Sequence, residues 1–75
     1  MLAPKEPHML KIEVDREEDG RWIGEVTVLP GVLAYGTTEG EARSKAAALA
    51  LRVIADRIEN GEPVPAEARD LFALA

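Results

Sequence analysis

Between Glu39 and Asn60 the chain is dominated by alanine, leucine and arginine, and this stretch constrains the fold more than any other. These residues lose little side-chain freedom in a helix, and Gly40 is the only weak helix former among them. Thr38 can accept from the third helical amide, and Glu41 can reach back to the Thr38 amide to complete a capping box. Glu39 and Glu41 also suit the positive end of the helix dipole. Asn60-Gly61, with Pro63 beyond, is a stop signal. One helix of this length in 75 residues leaves room for a few short strands. A second domain, a solenoid and a doubly wound nucleotide fold are excluded by size.

The residues ahead of the helix alternate. Met9 to Arg16 reads as a half-buried strand, with Leu10, Ile12 and Val14 on one face and Lys11, Glu13 and Asp15 on the other. Asp19-Gly20 is a hairpin signal. A second strand is expected over Arg21–Leu29, with Trp22, Val26 and Val28 on one side and Ile23, Thr27 and Leu29 on the other. Pro30-Gly31 turns the chain into a short third strand, Val32 to Tyr35, closed by Gly36. The simplest arrangement is a three-stranded antiparallel meander with the long helix packed on it, an α+β fold of order β-β-β-α. Residues 66–75 read either as a short amphipathic helix, which propensity favours, or as a final strand. Residues 1–8, with Pro4 and Pro7, read as a tail, and residues 9–75 as one domain.

A chain this short rarely gains more than about 3 to 5 kcal/mol from one core and needs additional support. It has no cysteine for disulfides, and its single histidine, His8, cannot form a zinc cage. Oligomerisation is the remaining common support. The helix supplies a surface for it: on a helical wheel its apolar residues span an arc of about 200°, twice the ~100° stripe that covers a sheet. Leu51, Ile54 and Ile58 lie on the flank away from Leu49 and Val53, and the sequence does not decide which flank faces the sheet. With Ala47, they are the candidate interface of a homo-oligomer, a dimer or tetramer.

Charge narrows the function. Nine basic residues against fourteen acidic ones give a net charge of −5 and a pI near 4.8, the opposite of a nucleic-acid binder's footprint. No segment of the chain is net positive, so specific DNA binding by this chain alone is not expected. No apolar run reaches the ~18 residues of a membrane span, and residues 1–8 do not read as a signal peptide, so the expected location is the cytoplasm. Asp15, Glu17, Glu18 and Asp19 place four carboxylates at the first hairpin, which reads either as a solvated turn or as a landing site for a basic protein. Trp22 and Tyr35, two of three aromatic residues, can anchor a partner, although core packing competes for Trp22.

Signs of catalysis are weak. Glu13, Asp15 and Glu25 could hold Mg²⁺ from one sheet face, but alternating charge is ordinary on the wet side of an antiparallel sheet. The only serine, Ser44, lies within the helix, and no glycine pattern forms a phosphate loop. The expectation is a protein without enzymatic activity and without a cofactor or metal.

Three segments occur in order: Asp19-Gly20-Arg21-Trp22-Ile23, Leu29-Pro30-Gly31-Val32 and Gly36-Thr37-Thr38-Glu39-Gly40-Glu41-Ala42. Followed by Gly61 to Pro65, they make the chain, over about residues 9–65, resemble the HicB-like antitoxin family. The resemblance implies a degraded ribonuclease-H-like half-fold of order β-β-β-α-β without the nuclease carboxylates. It therefore sets Leu71–Leu74 as a closing strand against the helical propensity. It also implies binding to a small basic mRNA-cleaving toxin of the HicA type, covering its catalytic surface. Longer members usually add a DNA-binding module, whereas here the chain stops at Ala75. That departure leaves a second expectation, a solitary oligomeric binding module with no toxin.

Overall fold

The computed structural model describes residues 9–72. Three strands, β1 (Ile12–Arg16), β2 (Trp22–Val26) and β3 (Leu33–Gly36), precede a long helix, α1 (Glu39–Glu59), and a short one, α2 (Ala66–Phe72). The sheet is an antiparallel meander ordered β1-β2-β3. Its register sets Ile12 opposite Val26 and Arg16 opposite Trp22, then Trp22 opposite Gly36 and Glu25 opposite Leu33. The expected α+β meander with its packed helix is thus present. The residues expected as a tail, including His8, lie outside the described residues.

α1 lies on the sheet through small residues. Ala42, Ala46, Ala50 and Ile54 recur every four residues and are all buried. On the sheet side they meet Gly24 and Gly36. A Cβ at Gly24 would sit 2.8 Å from the Ala42 carbonyl oxygen and 3.2 Å from the Ala46 Cβ, and one at Gly36 would collide with the Ala42 backbone nitrogen. Glycine on the strands and alanine on the helix therefore let backbone approach backbone, which fixes where the helix starts. The core that results is thin. Its members are Val26, Leu29, Val32, Ala46, Ala50, Ile54 and Ala68, and the largest side chains wholly removed from water are Leu29 and Val26.

Both ends of α1 are sealed locally. The Glu41 N–H donates to the Thr38 hydroxyl at 3.0 Å, as a capping box requires. The return bond goes one residue further than the sequence suggests, because the Glu41 carboxylate accepts from the Thr37 N–H at 3.0 Å, not from that of Thr38. At the other end the Glu62 N–H donates to the Arg57 carbonyl at 2.8 Å and the Gly61 N–H to the Ile58 carbonyl at 3.2 Å. With Gly61 at φ +69°, this is a Schellman termination.

Two expectations are corrected. β2 ends at Val26 instead of running to Leu29. The Leu29 N–H turns back to the Val26 carbonyl and the Val32 N–H to the Leu29 carbonyl, both at 3.0 Å. This turn swings Leu29 into the core and leaves Val28 exposed, reversing the sides that strand alternation assigns. The closing strand at Leu71–Leu74 is also contradicted: Leu71 and Phe72 belong to α2, while Ala73 and Leu74 lie outside the described residues. Helical propensity in Ala66–Phe72 prevails, with Ala68 buried against the core and Val64 packed beside it.

Candidate protein-binding surface

The first hairpin is built to hold one arginine. Glu17 to Arg21 form a loop closed by the Glu17 N–H on the Arg21 carbonyl at 2.7 Å, with the Gly20 N–H on the Glu17 carbonyl at 3.0 Å. Gly20 takes φ +92°, a left-handed conformation that glycine adopts without strain. Asp19 then clamps its neighbour two residues on. Its Oδ1 accepts the Arg21 N–H at 3.0 Å and its Oδ2 the Arg21 Nε at 2.7 Å. The Arg21 backbone amide, reinforced by the guanidinium, holds the Asp19 carboxyl below its ordinary value. Arg21 in turn lies over the Tyr35 ring, 4.4 Å from its centre.

Glu17, Glu18, Asp19, Arg21 and Tyr35 therefore surround one open depression at the sheet's hairpin end. Arg21 is spoken for by Asp19, so Glu17 and Glu18 leave the depression net negative. The sheet face beyond it is uncovered. Asp15 pairs with Ile23 and Ile23 with Tyr35 across the strands, while Glu13 pairs with Glu25 and Glu25 with Leu33. Two glutamates directly opposite one another repel, and among the described residues only Glu13 has a cation at hand, Lys11 at 3.8 Å. Among the described residues no group of three or more Asp, Glu or His is close enough to hold a metal ion.

Four of the six residues read from sequence as partner contacts, Glu17, Glu18, Asp19 and Tyr35, meet at this depression. Asp15 stands on the same open face, one row in. Trp22 does not join them. It alternates onto the helix side with Gly24 and Val26, is half-buried, and has the Arg16 guanidinium 5.9 Å from its ring centre. The two aromatics thus lie on opposite faces of the sheet, which follows from Trp22 pairing with Gly36 and Tyr35 with Ile23. Arg21, which organises the site, was missed; an Asp-x-Arg spacing across a hairpin tip is the signal that could have revealed it.

The residues proposed from sequence as an oligomer interface divide between core and surface. Ile54 is buried in the core with only an edge reaching outward, and Ala47 is half-buried. Leu51 and Ile58 are 58% and 40% exposed. A second depression, about 380 Å³, runs between them along the outer side of α1 and is bounded by Leu51, Ile54, Ala55, Ile58, Glu59 and Phe72. The sequence left open which flank of α1 meets the sheet. The alanine row with Ile54 does, with Leu49 and Val53 packed beside it, and Leu51 and Ile58 remain outside. No described helix is long and apolar enough to cross a membrane. Comparison with known proteins found no matching family model, no matching curated protein and no matching solved structure.

Proposed function

We propose that this chain is a non-catalytic, HicB-like antitoxin that neutralises a small basic mRNA-cleaving toxin by binding it, and that it self-associates. The observation that carries this reading is the joining of an acidic hairpin to an uncovered sheet face in a chain of net charge −5. Carboxylates at the rim attract a basic protein from a distance. Tyr35, with Ile23 and Leu33 beside it on the open face, offers apolar surface for contact once the partner arrives. The reading places the chain in the cytoplasm, where such a toxin acts. A solitary oligomeric module is the second reading, favoured by the apolar groove on α1.

The test takes as partner any small basic protein that an adjacent reading frame encodes. The purified chain should suppress its RNA cleavage at about one-to-one stoichiometry, and Tyr35→Asp should weaken that suppression. Undiminished cleavage with the chain in excess would reject the antitoxin reading.

A further inference from the structure

The groove on α1 lies away from the acidic hairpin. Trp22 pairs with Gly36 three residues before α1 begins, so the helix starts at the hairpin end of the sheet. α1 is roughly 31 Å long against roughly 17 Å for a five-residue strand, so its C-terminal half outruns the sheet. That half carries a continuous uncharged stripe, Ala47, Leu51, Ile54, Ala55 and Ile58, at the three-and-four spacing of helix-to-helix seams. Phe72, 66% exposed, borders it from α2.

We propose that this stripe pairs α1 with α1 of a second copy, antiparallel, about a two-fold axis at Ala55. The proposal rests on the self-association reading above and adds to it a face, an orientation and two ion pairs. Glu59 borders the groove, and Arg52, seven residues earlier, lies on the same side of the helix because seven residues bring a helix back to within about 20° of its starting direction. Both are exposed, and neither has a partner among the described residues. Their midpoint falls beside Ala55, the small residue at the groove's centre.

A two-fold axis there sets Arg52 against Glu59 of the second copy and Glu59 against its Arg52, the self-complementarity an isologous interface requires. Ala55 allows the helices to approach closely, and the exposed Leu51 and Ile58 interleave on either side of it. A basic partner gains nothing from an uncharged stripe. Two chains that repel through a net charge of −5 can still meet along it.

Sedimentation equilibrium of the full chain should show a dimer at micromolar concentration. Arg52→Glu and Glu59→Arg, both exposed changes, should each weaken it on the order of tenfold, and the double exchange should restore it. A nitroxide on Ser44→Cys should report a distance of roughly 33 Å between copies if the pairing is antiparallel, against under ~15 Å for parallel helices. A wild-type monomer, a double exchange as weak as the single variants, or the short distance would each overturn the proposal. Suppression of RNA cleavage is scored separately. A monomer that still suppresses the toxin rejects only this interface, and a dimer that fails to suppress it rejects only the antitoxin reading.

Discussion

Glu41 ties down the start of α1. Its N–H meets the Thr38 hydroxyl, its carboxylate accepts the Thr37 N–H, and Lys45 lies 3.3 Å from the same carboxylate. The Thr37 amide, with Lys45 adding to it, holds the Glu41 carboxyl below its ordinary value of 4.5. A lowered folded-state pKa means the charged form favours folding. This stabilisation is complete above the unfolded value and fades as pH falls from about 4.5 through the folded one. The melting-temperature gap between wild type and Glu41→Gln should therefore shrink on acidification from pH 7 to pH 3. A gap constant across that range would contradict the assignment. Thr38→Ala removes an uncharged cap instead and should cost about 1 kcal/mol at every pH, measured by denaturant unfolding.

The sheet and α1 fit because two glycines face one row of alanines. Gly24→Ala and Gly36→Ala would each press a methyl group into helix backbone that cannot yield without the whole helix moving. Each should cost about 1 to 3 kcal/mol in urea unfolding, with Gly36→Ala the worse. Gly40, exposed in the first turn of α1 with nothing near its Cβ position, should respond oppositely, gaining up to about 0.5 to 1 kcal/mol on Gly40→Ala. Equal effects at all three positions would show that glycine's flexibility matters here, not the close approach.

The same elements show what a sequence can disclose. The alternation from Leu10 to Asp15 and the capped, alanine-rich stretch after Thr38 each carry a local period, so β1 and α1 were legible. Leu29 was not, because its burial depends on a turn that hydrogen bonds at Val26 and Val32 create. Nor was the separation of Trp22 from Tyr35, which depends on the register between β2 and β3. In Ala66–Phe72 local propensity outweighed the strand implied by resemblance. The acidic half of the candidate site could be read from adjacent residues, whereas the placing of Arg21 over Tyr35 needed the folded sheet.

At the scale of the whole molecule, burial and exposure are out of proportion. Leu33, Tyr35, Leu51, Ile58, Leu71 and Phe72 are each at least 36% exposed, whereas the core relies on alanines. A chain without disulfides that exposes this much apolar surface is expected to cover some of it with other chains. On the proposed reading the sheet face and the α1 groove divide that task, one beside carboxylates and suited to a basic partner, the other mainly apolar and suited to a copy of itself. The central claim is that the acidic hairpin captures the basic partner, and association kinetics test it most directly. Stopped-flow mixing with a basic toxin of the kind proposed should be fast at ~50 mM salt and slow as salt rises to ~500 mM. Replacing Glu17, Glu18 and Asp19 together with Ser should slow association at low salt and converge with wild type at high salt, while Glu62→Ser should leave the rate unchanged. Association that ignores salt, or a triple variant as fast as wild type at ~50 mM, would contradict the account.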